Sequence, residues 1–247
     1  MRRQSLLPEM NAAGYRLLAC SKRLFPCHVL DEETDMLVLG KKDLTREAAN
    51  LVREARCQVK GYIAGHPDFR DSLVPCAETP DAQPVVKAMI DAGHKAELGP
   101  MAAVAGAIAE FVGRRLGDVS DEIIIENGGD VFFRTNAPQK FAIVAETASS
   151  ALVSIEISEL VPGAGMGVCT SSGKLGPSKN FGNADVVTVI ARSAALADAL
   201  ATAASNRIRS SEDIAPALEW ATRHGAEGVV ALAFDRVAAM GSVKFSD

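Results

Sequence analysis

Apolar and polar residues alternate from residue 14 to residue 40, through "GYRLLACSK", a Pro-containing break and "HVLDEETDMLVLG". That period predicts a hairpin or two paired strands. From Leu44 to Tyr62 the apolar spacing becomes helical, with charges between and Asp43 or Thr45 available as a cap. Residues 66–82 are Pro-rich and polar and predict a loop. A helix is expected from about Gln83 to Ala92, ending near Gly93. Another is expected in "GPMAAVAGAIAEFVGRRLG", where Pro100 suits the first position and the arginines suit the last turn. Strands dominate from Glu122 to Ile157: "EIIIE", "DVFFR", "KFAIVAE" and "ALVSIEIS". Glu159 to Ala184 shows little period and predicts a long loop, which in a compact domain is usually functional or disordered. The strand "DVVTVIA" follows, then the helix "ALADALATAASNRI", a helix over about Ser211 to His224, and a final hairpin of "GVVALAF" and "RVAAMG".

The order of elements is α+β, with strands in antiparallel groups separated by helices. Each half holds strands plus a helical segment, which hints at a duplicated unit. With no linker-like stretch, residues 1–247 are expected to form a single domain whose two pseudo-repeated parts share one core. The chain has 247 residues, 48% hydrophobic and 23% charged, enough for a sizeable core. A formal net charge of −5 without a basic run excludes broad nucleic-acid binding, and 5% aromatic content gives no stacking platform. No apolar run is long enough to span a membrane; the nearest, "MAAVAGAIAEFVG", is broken by Glu110. Pro8, Glu9, Asn11 and Arg16 interrupt any leader ahead of Cys20, so a cytoplasmic start is expected. Five cysteines without a C-x-x-C fit a reduced protein, not a disulfide framework or a zinc knuckle.

Four features carry candidate chemistry. The turn "ENGGD" between two apolar strands is either a plain hairpin or the floor of a ligand site, with Asn127, Gly128, Gly129 and Asp130 as its residues. In "CTSSGK", Thr170, Ser171, Ser172, Gly173 and Lys174 offer hydroxyls, backbone N–H groups and a cation to a phosphate, or else form a solvated loop. It is not a Walker loop, because Leu175 stands where Ser or Thr is required. Asp198 and Thr202 lie four apart on one helix face, a hard-cation pattern that ordinary helices also show. Cys169 sits among small polar residues, where a thiolate could be reached and stabilised by nearby N–H groups or Lys174. The stripe Ala102, Ala105, Gly106 and Ala109 implies close approach, most simply of a helix to a sheet. The four histidines show no ligand spacing.

In chain order, "GPMAAVAGAIAEFV", "IIENGGDVF", "GVCTSSGKLGPSKNFGNADVVTV" and "LADALATA" resemble the small cytosolic ApbE-like family, over about Tyr15 to Gly241. More distantly the chain is similar to ApbE, the FAD:protein FMN transferase. The resemblance implies duplicated T-fold-type units with mainly antiparallel sheets and packed helices. It implies Mg²⁺ at Asp198 and Thr202, and a flavin (FAD or FMN) bordered by Gly128, Gly129 and Asp130. The chain departs from ApbE in having "KLGPSKNFG" where ApbE carries a His-x-x-Asp-Pro-like segment. The small cytosolic family is linked to sulfur assimilation and persulfide formation, for which Cys169 is the thiol best placed. Three readings follow: Mg-assisted group transfer from a phosphorylated ligand, sulfur transfer from a sulfur donor through Cys169, and a non-catalytic scaffold.

Overall fold

The computed structural model describes residues 17–19, 23–144, 152–160, 163–172 and 180–246. The expected early hairpin is formed by β2 (Phe25–Asp31) and β3 (Thr34–Gly40), preceded by a short β1 (Leu17–Ala19). Helix α1 (Thr45–Gly65) starts where expected, and the Asp43 carboxylate accepts the Thr45 N–H at 2.9 Å and its hydroxyl at 2.7 Å. One helical turn, α2 (Asp68–Asp71), lies inside the predicted loop and buries Phe69. Helix α3 (Pro84–Ala96) runs about one turn past its expected end. Gly93 is not its cap: a Cβ there would lie 2.8 Å from the Leu98 carbonyl oxygen, so the glycine serves close approach. Glu97 caps the helix instead, in the left-handed region at φ +57°. A 3-10 turn, Pro100–Ala103, leads into α4 (Val104–Leu116).

The remaining elements are β4 (Ile123–Asn127), β5 (Asp130–Arg134), β6 (Gln139–Val144), β7 (Leu152–Ile157), β8 (Met166–Ser171) and β9 (Val186–Ala191). They are followed by α5 (Ala194–Arg207), α6 (Ile214–Arg223), β10 (Gly228–Ala233), β11 (Arg236–Gly241) and β12 (Lys244–Phe245). Among the described residues, eight strands form one antiparallel sheet in the order β11-β10-β9-β8-β5-β4-β3-β2. The order repeats a single unit. Two strands, a helical insertion and two more strands make β2, β3, α1 to α4, β4 and β5, and again β8, β9, α5, α6, β10 and β11. The units join edge to edge at the centre, with Val131 opposite Val168. A second sheet, β1-β6-β7-β12, is built from the chain between and outside the two units.

Alternation along each strand sorts the core into two layers. Ile123, Ile125 and Phe132 pack with the helices, whereas Ile124, Val131 and Phe133 pack with Phe141, Ile143 and Ile155 of the smaller sheet. Both faces of the large sheet are therefore covered at its centre. That is why "EIII" and "VFF" are apolar throughout instead of alternating.

One strand of the large sheet was not expected. The segment read as a long loop contains β8, a fully buried central strand that pairs with both β5 and β9. Its residues are small because α5 lies against it: a Cβ on Gly167 would sit 2.4 Å from the Ala194 Cα. Among the described residues, no single helix is long and apolar enough to cross a membrane.

Candidate functional site

Asn127 and Asp130 face each other across a two-residue turn. Gly128 and Gly129 have φ values of +66° and +100°, which two-residue hairpins prefer and glycine allows without strain. A Cβ on Gly128 would meet nothing within 4 Å, so the tip is open. The Gly129 N–H is not offered to a ligand; it donates to Glu126 Oε1 at 2.8 Å. Asn127 Nδ2 donates to the Ala105 carbonyl at 3.0 Å and ties the turn to the start of α4. Asp130 is buried at the head of β5, where the Thr170 N–H donates to its Oδ1 at 3.3 Å.

The two units contribute opposite walls. Asp198 comes from α5, and its Oδ2 accepts the Gly106 N–H of α4 at 2.9 Å. Gly106 has the room to do this only because it lacks a side chain. A Cβ there would lie 2.3 Å from the Ala194 carbonyl oxygen and 2.8 Å from Asp198 Cβ. At Gly106 the small-residue stripe thus admits a second helix, while the Ala105 carbonyl bonds the sheet through Asn127. Replacing Gly106 by alanine is expected to cost about 1–3 kcal/mol of stability through overpacking, measurable as a lower denaturant midpoint. An unchanged midpoint would show that α4 and α5 separate freely. One turn after Asp198, the Thr202 hydroxyl donates to Ser171 Oγ at 3.4 Å, and Asn180 Nδ2 donates to the same oxygen at 2.9 Å.

Neither Asp130 nor Asp198 has an ion pair among the described residues. Burial pushes the Asp130 carboxyl well above the usual carboxylate range, and the charge of Asp198 pushes it further. Burial likewise raises Asp198, to about 7, against the pull of the Gly106 and Ala105 N–H groups. Asp198 keeps part of its surface open, unlike Asp130. The arrangement is a pair of carboxylates, one from each unit, each held by a backbone N–H of the other unit and lacking a counter-ion among the described residues.

Of the sequence-predicted site residues, Asn127, Gly128, Gly129, Asp130, Ser171, Asp198 and Thr202 gather on the helix side of the sheet centre. Thr170 contributes its backbone N–H, but its hydroxyl turns to the other face and bonds Thr188 Oγ1 at 3.0 Å. Ser172 is buried just beyond β8, and Gly173 and Lys174 lie outside the described residues. Cys169 does not match the reachable thiolate that its neighbours in the sequence suggested. It is fully buried under α5, its Sγ–H directed at the Ala194 carbonyl oxygen 3.3 Å away. Burial raises the thiol well above its ordinary value, and the carboxylates of Asp130 and Asp198 raise it further.

Two contributors escaped the sequence reading. Asn180 lies in the motif between β8 and β9, where nothing in its spacing marks it. Glu110 was visible only as a charge in an apolar run. Its Oε2 accepts the Ser193 hydroxyl at 2.7 Å and the Ala195 N–H at 3.3 Å, which anchors the N-terminus of the helix that carries Asp198.

Comparison with known proteins places this architecture. The chain is 36% identical to a UPF0280 protein of Methanothrix thermoacetophila, over 79% of this chain and 83% of that one. It is 35% identical to a UPF0280 protein of Methanocaldococcus jannaschii, over 89% and 91%. A UPF0280 protein of Methanococcus aeolicus is 41% identical over a shorter region, 64% of this chain and 65% of that protein. Among solved structures, the flavin transferase ApbE from Vibrio cholerae superposes with a TM-score of 0.61 at 13% identity, covering 89% of this chain and 98% of that one. The Thermotoga maritima ApbE protein superposes with a TM-score of 0.52 at 12% identity, covering 91% and 97%. The fold is shared with these structures, and a family model described as "AbpE bacteria" matches residues 16–236, so the chain belongs to that ApbE-like family.

Proposed function

We propose that this protein is of the flavin-transferase type. It holds a flavin nucleotide, or another phosphorylated ligand, between the Gly128–Gly129 turn, the end of β8 and α5, and moves a group from it with the help of Mg²⁺. The observation that carries this reading is the buried carboxylate pair, Asp130 and Asp198, brought together without a cationic partner. Two such groups in one enclosed place raise each other's cost of ionisation unless a cation joins them. The solved structural relatives in Vibrio cholerae and Pseudomonas stutzeri are flavin and flavinyl transferases.

The donor set fits a hard divalent ion: the carboxylate of Asp198, the hydroxyl of Thr202 and the carboxylate of Asp130 offer oxygen only. Among the described residues no group of three His, Cys, Asp or Glu side chains surrounds one point, so water and ligand oxygens would complete the shell. Bound there, Mg²⁺ would neutralise charge on phosphate oxygens. The chain's own residues do the positioning. The Gly106 N–H fixes one Asp198 oxygen, the Thr170 N–H fixes one Asp130 oxygen, and Asn180 orients the Ser171 hydroxyl beside Thr202. The open Gly128 tip leaves room for a ligand to approach the backbone.

The expected result is a thermal shift of the purified protein with FAD or FMN that Mg²⁺ enlarges. No shift with either flavin, with and without Mg²⁺, would overturn the reading.

A further inference from the structure

A cavity of about 450 Å³ opens beside the candidate site. Asn127 and Ala105, joined by their hydrogen bond, belong to its wall, so cavity and site share a boundary. Its floor is apolar, made by Val59 and Ile63 of α1, Met101 of the 3-10 turn, and Val104 and Ile108 of α4. Arg56, Lys60 and Arg70 stand around it.

These cations are not equivalent. Arg56 donates to Thr34 Oγ1 at 2.7 Å, pairs with Asp31 at 3.1 Å and Glu32 at 2.6 Å, and also pairs with Glu33. Lys60 pairs with Glu32. The acidic turn between β2 and β3 thus occupies both. Arg70 is exposed on α2 and has neither an ion pair nor a side-chain hydrogen bond among the described residues.

We propose that this cavity binds an aromatic ligand carrying a single anionic group, with the ring on the apolar floor and the anion on Arg70. Its volume lies in the lower part of the roughly 300–1,000 Å³ range of small-molecule sites, which suits a mononucleotide-sized compound. An arginine without a partner is a ready donor pair for a phosphate or sulfonate. Among the described residues that line the cavity, a second phosphate would find no further free cation. It would face Glu33, which lines the cavity, and would have to displace the turn carboxylates from Arg56 and Lys60. The acidic turn is therefore a filter against polyanions. The proposal rests on the flavin reading above only for the choice of FMN as one probe.

The test is fluorescence titration of the full chain with 8-anilinonaphthalene-1-sulfonate, FMN and riboflavin, the last having the ring without the phosphate. The sulfonate and FMN should compete for one site. Arg70→Ala should weaken both about tenfold, the scale of one charge-assisted hydrogen bond, and leave riboflavin unchanged. Ile63→Trp, which fills the floor, should abolish binding of all three while circular dichroism shows a folded protein. If the sulfonate does not bind, or binds Arg70→Ala as tightly as the native chain, the proposal is overturned. If the sulfonate depends on Arg70 and Ile63 but no flavin binds, the cavity site stands and the flavin reading falls.

Discussion

Replacing Asp198 by asparagine is expected to make the metal-free protein more stable at pH 8 and to erase any Mg²⁺-dependent thermal shift. The sign follows from linkage. An unfolded aspartate titrates near 3.9, whereas burial raises Asp198 to about 7 in the folded chain. Below the unfolded value both states carry the proton and folding loses nothing. As pH rises towards about 7, the unfolded state releases its proton first, so stability falls. Above about 7 both states are ionised and the penalty is constant. Its size is on the order of 2 kcal/mol once partial solvent access is allowed for. Asparagine keeps the shape and still accepts the Gly106 N–H, but it never carries the charge. It should therefore gain at pH 8 and match the native chain near pH 4. A cation reverses the balance, because it needs the ionised carboxylate that burial penalises. In the native chain the Mg²⁺ shift should shrink as pH falls through about 7; in Asp198→Asn it should be absent throughout. Thermal unfolding over pH 4–8, with and without Mg²⁺, checks both. A metal-free Asp198→Asn protein less stable than the native chain at pH 8 would show that Asp198 is a structural anchor and not a cation ligand.

The parts of this fold that were legible in the sequence are those whose environment is uniform along an element. "EIII" and "VFF" lie between a helix layer and a second sheet, so every position is apolar and the strands stand out. Asp198 and Thr202 share a helix face because a helix fixes that spacing without help from the rest of the chain. Strand β8 was hidden for the opposite reason. "MGVCTS" has the composition of a loop, and its small residues make sense only once α5 rests on Gly167 at a distance no side chain would permit. Missing the strand also hid its two faces. With Met166 to Ser171 alternating across the sheet, Ser171 must face Thr202 while the Thr170 hydroxyl must face away. Arg70 was hidden by its neighbours: "HPDFRD" reads as a polar loop, and only the docking of Phe69 turns it into a fixed helical turn. Local periodicity reveals elements, then, whereas contacts between the two repeated units reveal the site.

Cys169 provides the sharper test of what that contact does. In the native protein at pH 8, iodoacetamide is expected to alkylate Cys57 at least about a hundredfold faster than Cys169. Cys57 is exposed on α1, while Cys169 is fully covered by α5. Access is one barrier and ionisation is the other. The thiolate is the nucleophile, and here burial and two neighbouring carboxylates all oppose its formation. A low-pKa thiol needs the reverse, a cation or a helix N-terminus beside the sulfur. Among the described residues, the Sγ–H donates to the Ala194 carbonyl oxygen and also meets the Asp130 carboxylate, and both favour the protonated thiol. Sulfur transfer through Cys169 requires an exposed, ionised sulfur, so the two readings of the chain predict opposite labelling orders. Mass spectrometry after a short pulse of reagent, with a denatured control that labels every cysteine, separates them. Rapid labelling of Cys169 ahead of Cys57 would mean that α5 lifts from β8 in solution. The carboxylate pair would then be exposed with it, and the enclosed cation site would lose its basis.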